Sequence, residues 1–135
     1  MGSVTLFTDL GLMRFLKLLQ WSYIICFFTG GFIHCVDIYN GGFLPYRSLP
    51  FWLNVYLTSL SIIDITAALL VIIRPKIGIW MIIVIITSDI ALDIYANQVF
   101  WRIPFLENYR LLLLCIVGLY ILITAPLFLK KYKKL

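Results

Sequence analysis

Asp37, Asp64, Asp89 and Asp93 are four of the chain's six acidic residues, and all four interrupt long apolar stretches. Its single histidine, His34, precedes Asp37 by three residues. A carboxylate at the centre of a bilayer costs at least ~2.5 kcal/mol on insertion scales, and such groups commonly mark ion paths, proton relays or ligand sites. Three chemistries suit this set. Proton or cation handling would use the aspartates and His34 as a polar path through an apolar medium. A divalent cation would find a hard, oxygen-rich ligand set in His34, Asp37, Asp89 and Asp93. A lipophilic ligand carrying an amine would find a counter-charge in an apolar cavity, where an Asp–His group could also move a proton in acid–base catalysis.

Helical spacing groups these residues. His34 and Asp37 stand at i, i+3 and share a face with Gly30; Asp89, Asp93 and Asn97 stand at i, i+4, i+8. Asn54, Thr58, Ser61 and Asp64 fall within about a third of one helix circumference. Lipid forbids such faces from pointing outward, so they are expected to converge on a polar cleft. The expected site is therefore Asp64, Asp89, Asp93, His34 and Asp37, with Asn97 and Asn54 beside it. Asp64 and Asp89 lie deepest, whereas Asp37 and Asp93 lie nearer one interface. Thr58, Ser61, Thr87 and Ser88 are expected only to hydrogen-bond for packing.

The elements that must hold this site are transmembrane helices. Of 135 residues, 63% are hydrophobic and 13% charged, against about 25% charged in soluble domains. Apolar runs of about 20 residues suffice to cross the hydrocarbon core, and they lack the alternation of a β-barrel strand. The chain reads as an all-α integral membrane protein, a single four-helix transmembrane domain over residues 1–135. Its expected spans are residues 18–39, 51–73, 77–99 and 111–129. Asn40 to Pro45 and Pro50 make the first turn-rich link, and Arg74-Pro75-Lys76 makes a very short second one. Val4 to Phe15 reads as a short interfacial helix ahead of the first span and does not look like a cleaved signal peptide. Pro126 is expected to produce a local bend in the fourth span.

Basic residues orient the bundle. Arg14, Lys17, Arg74, Lys76, Lys130, Lys131, Lys133 and Lys134 fall on one side, and Arg47, Arg102 and Arg110 on the other. The positive-inside rule then puts both termini in the cytoplasm. Trp21, Trp52, Trp80 and Trp101 sit near expected interfaces, as an aromatic belt requires. The net charge of +5 comes largely from helix ends and the terminal lysines, which argues against nucleic acid and for the lipid bilayer as partner. Cys26, Cys35 and Cys115 form no CxxC pair and read as small packing residues, with a Cys35–Cys115 pairing left open. One histidine cannot supply bis-histidine haem ligation, and no phosphate-cradling glycine motif is present, so no haem or nucleotide is expected.

The leading expectation is a cavity that opens away from the cytoplasm and binds or conducts a cation, protons or a small lipophilic cationic ligand. A second is an accessory, assembly or immunity-type protein that binds a membrane-protein partner or a second copy of itself through Asn40–Pro50 and Phe100–Arg110. A third is a small membrane enzyme using Asp/His acid–base chemistry. In size and four-span layout the chain is similar to the sterol-isomerase and sigma-2 receptor group of small membrane proteins, with acidic residues near a ligand cavity. That likeness rests on no motif and implies no residue roles. Short loops favour a bacterial inner membrane.

Overall fold

A computed structural model describes the backbone of residues 2–132 and the side chains of residues 10–130. Among the described residues the protein is all-helical, with four helices long and apolar enough to cross a membrane. In chain order these are α1 (Gly2–Gly41), α2 (Phe51–Ile73), α3 (Pro75–Ala96) and α4 (Tyr109–Tyr132), with a π-helical turn, Asn97–Trp101, prolonging α3. Lys133 and Lys134 lie outside the described residues.

The expected interfacial helix is not a separate element, because α1 runs unbroken for 40 residues. Nothing between Val4 and Phe15 breaks it: the segment holds no proline, and Gly11 is a single tolerated glycine. At 1.5 Å per residue α1 is about 60 Å long, twice the roughly 30 Å of a hydrocarbon core. It ends where Gly42 takes a left-handed φ of 87° and its N–H returns to Ile38 O at 2.9 Å.

The α2–α3 link is one residue, Arg74. Its N–H closes α2 on Leu70 O at 2.7 Å, and Pro75 opens α3 at the position where a missing N–H costs nothing. So short a link presses the two helices together. Gly78 permits this: a Cβ there would stand 2.4 Å from Val71 N and 2.6 Å from Leu70 C. At the other end of α3, Arg102 adopts a left-handed φ of 53°, and its N–H bonds Asn97 O at 2.6 Å. Asn108 caps α4, its Oδ1 accepting the Leu111 N–H at 3.2 Å.

Two ends of the bundle differ. At the terminal end, near the α2–α3 link, a closed layer is built from Leu19, Tyr23, Val71, Ile79, Ala125 and Phe128, all buried. Tyr23 hydroxyl and Thr124 Oγ1 lie 2.6 Å apart, as do Ser22 Oγ and the Tyr120 hydroxyl, joining α1 to α4. Gln20 Nε2 donates to Val71 O at 2.9 Å, joining α1 to α2. At the loop end, the α1–α2 and α3–α4 connections fold over the helices. Between these ends the bundle is hollow.

Candidate functional site

A cavity of about 580 Å³ occupies that hollow, a size typical of small-molecule sites. All four helices line it, and its walls are mainly apolar, with Phe27, Leu57, Ile85, Ile86, Leu114 and Val117 among them. Asp64, Asp89, Asp93, His34 and Asp37 all reach it.

The carboxylates fall into two kinds. Asp37 is fully engaged: Arg110 donates from Nη1 to Oδ2 and from Nη2 to Oδ1, each at 3.1 Å. Such a bidentate geometry fixes both planes. The Tyr46 hydroxyl donates to the same Oδ2 at 2.9 Å. Tyr46 is also 2.8 Å from His34 Nδ1. Its one hydroxyl proton goes to Asp37, so the oxygen must accept from His34, which assigns the ring's proton to Nδ1. Tyr46 belongs to the α1–α2 connection. Burial and, after it, the bond to Asp37 raise its phenol above its ordinary pKa, so it remains a donor.

Asp64, Asp89 and Asp93 are the second kind. None makes an ion pair or hydrogen bond among the described residues. Asp64 Oδ1 and Asp89 Oδ1 are buried with no partner at all. Asp64 is only 6% exposed. Its carboxylate rests against the bare backbone of Gly30, where an added Cβ would stand 3.0 Å from Oδ2. Gly31 lets α1 close on α2: a Cβ there would be 2.7 Å from Ile65 Cγ1 and 3.3 Å from Ile65 N. Native proteins bond nearly all their buried polar atoms, so an orphaned oxygen on each of two carboxylates lining one cavity calls for a reason.

Two expected site residues serve other purposes. Asn54 does not line the cavity: its Oδ1 accepts the Tyr46 N–H at 3.2 Å and its Nδ2 donates to Leu44 O at 3.3 Å. It anchors the α1–α2 connection because that loop lies directly over the start of α2. Asn97 likewise holds a loop, donating to Ile103 O and accepting from Asn108 Nδ2, both at 2.9 Å. Thr58 and Ser61 donate back into α2, to Asn54 O and Thr58 O, and Thr87 and Ser88 do the same in α3, to Ile83 O and Val84 O. Ser88 also meets the Tyr56 hydroxyl at 2.8 Å, across α2 and α3.

The four groups weighed as metal ligands do not gather. Among the described residues no three His, Cys, Asp or Glu side chains come close enough to hold one ion. Asp37 is turned instead to Arg110. Cys26, Cys35 and Cys115 are free thiols, Cys26 within the cavity wall.

Arg110, Tyr46 and Asn108 are the site residues that sequence reasoning missed. The sequence places Arg110 among the orienting charges and at the end of the Phe100–Arg110 contact segment, with nothing in its spacing that ties it to Asp37. Its place in the first turn of α4, at the same end of the bundle as Asp37, was the available signal. Tyr46 carried no signal, because a tyrosine in a turn-rich link pairs with a helix only once the loop's path is known. Comparison with protein families, with curated proteins and with solved structures found no match.

Proposed function

We propose that this is a multi-pass membrane protein whose cavity binds a lipophilic organic cation, with Asp64, Asp89 and Asp93 supplying the counter-charge. The observation that carries this reading is that Asp64 and Asp89, each with an orphaned Oδ1, both line an apolar-walled chamber of about 580 Å³. Burying a carboxylate without a partner is costly, and a cation seated among the three offsets that cost. The apolar walls favour a cation carrying hydrocarbon over a hydrated inorganic ion, which would need its water shell replaced by polar ligands. Arg110 makes its ion pair with Asp37 and acts on Asp93 only through space, which leaves the deepest carboxylates, Asp64 and Asp89, without a protein counter-charge.

Binding is favoured over conduction by the buried layer at the terminal end, where Tyr23, Thr124 and Phe128 fill the space between α1 and α4. The basic residues, eight on the terminal side against three on the other, favour cytoplasmic termini and a site near the opposite face. With its short loops, the chain suits a bacterial inner membrane.

The test is equilibrium binding of octyltrimethylammonium to the protein in lipid nanodiscs. Wild type should bind it saturably, and Asp64→Asn and Asp89→Asn should each weaken binding at least tenfold while the melting temperature holds or rises. If both variants bind like wild type, the carboxylates are not the site.

A further inference from the structure

The cavity does not stop inside the bundle. On α1, Ile25, Thr29 and Ile33 line it at i, i+4, i+8, and all three are exposed on the bundle surface. On the facing side of α4, Leu113 lines it too and is 60% exposed. A residue that is both cavity wall and outer surface marks an opening, and these four stand along a gap between α1 and α4.

The gap has definite ends. Toward the terminal end it is shut by Tyr23–Thr124 and Ser22–Tyr120, each at 2.6 Å. Toward the loop end it is bridged by the Asp37–Arg110 pair. Between those ties, no hydrogen bond or ion pair joins α1 to α4 among the described residues. The rims of the gap are apolar apart from Thr29, and they belong to helices long and apolar enough to cross a membrane. In a bilayer such an opening faces hydrocarbon, whereas the carboxylates lie inward of it.

Resting on the cation-binding reading above, we infer that the α1–α4 gap is a side entrance from the bilayer and that the ligand is a single-chain amphiphile. Its cationic head meets Asp64, Asp89 and Asp93, and its alkyl tail lies out through the gap between Thr29 and Leu113. Charge complementarity selects the head, since the deep carboxylates have no protein partner. The apolar rim selects the tail. A ligand of this form reaches the site by diffusing in the membrane plane and keeps its chain in an apolar medium throughout.

Two probes with the same head separate the possibilities: octyltrimethylammonium, which has a tail, and tetramethylammonium, which has none. Binding is measured in nanodiscs, with the octyl probe's concentration expressed per lipid. Thr29→Trp and Leu113→Trp each place a bulky side chain in the gap from opposite rims, at exposed positions where folding is not at stake. Each should weaken octyltrimethylammonium at least tenfold and leave tetramethylammonium, already at least tenfold weaker in wild type, within twofold. If both variants leave the octyl probe within twofold of wild type while Asp89→Asn still weakens it at least tenfold, the side entrance is wrong and the cation site stands. If Asp89→Asn binds normally, the cation site itself falls. A dimer in native mass spectrometry that Thr29→Trp and Leu113→Trp both dissociate would also overturn the inference, because a second copy would then cover the gap.

Discussion

Gly30 and Gly31 are adjacent on α1, yet a methyl group added to each should report on different things. At Gly30 the new Cβ meets only the Asp64 carboxylate, 3.0 Å from Oδ2 and 3.9 Å from Cγ. The carboxylate can swing by a few tenths of an ångström, so the fold gives little resistance. Replacing glycine by alanine inside a helix is worth up to about 1 kcal/mol in the other direction. Gly30→Ala should therefore hold or raise stability while moving one charged ligand group off its position. Octyltrimethylammonium has no N–H to donate and meets the carboxylate through charge alone, so a displacement of a few tenths of an ångström should weaken its binding by roughly twofold.

At Gly31 the added Cβ would meet Ile65 Cγ1 at 2.7 Å and, behind it, Ile65 N and Asp64 Cβ at 3.3 Å. Backbone cannot swing aside, so α1 and α2 must separate, at the roughly 1–3 kcal/mol usual for overpacking. Gly31→Ala should melt earlier than wild type. Thermal unfolding in one detergent and probe binding in nanodiscs measure the two quantities side by side. The reasoning is refuted if Gly30→Ala binds the probe like wild type, or if Gly31→Ala is the more stable of the two.

Four other substitutions follow from the same geometry. Tyr46→Phe removes a donor to Asp37 and the acceptor for His34, and should cost about 1–3 kcal/mol in thermal unfolding; no loss would mean the network is not formed in solution. Arg110→Gln should cost less than about 1 kcal/mol, because the Arg110 side chain is 70% exposed even though that of Asp37 is only 18% exposed; Asp37→Ala should cost more, since it loses the Tyr46 bond as well as the Arg110 pair. Gly78→Ala drives a Cβ to 2.4 Å from Val71 N and should be among the most destabilising single methyl additions in the chain, with unfolding at least about 2 kcal/mol easier; near-wild-type stability would contradict the close α2–α3 contact.

Much of the architecture was legible because lipid simplifies the code. Continuous apolar runs bounded by Pro45, Pro50, Pro75 and charged residues leave four helices as the natural reading, and the aspartates had to face one another because the bilayer forbids the alternative. Helical phase alone brought Asp64, Asp89 and Asp93 to one chamber. What phase could not give was the path of the loops. Asn54 and Asn97 occupy the right faces but are taken up by Leu44, Tyr46, Ile103 and Asn108, all loop or capping residues whose positions depend on the turns at Gly42 and Arg102. Arg110 was read for its sign and not for its reach. The continuity of α1 was also hidden, since Asp9, Arg14 and Lys17 resemble an interfacial boundary although nothing among them breaks a helix.

In the cation-binding proposal, buried negative charge selects the ligand. Octyltrimethylammonium and octyl sulfate share a chain and differ in the sign of the head, so their relative affinity for the wild-type protein in neutral-lipid nanodiscs tests it most directly. Wild type should prefer the cation at least tenfold, and the preference should be lost when Asp64→Asn and Asp89→Asn are combined. Equal binding of the two amphiphiles by wild type, or a preference that survives the double substitution, would contradict it.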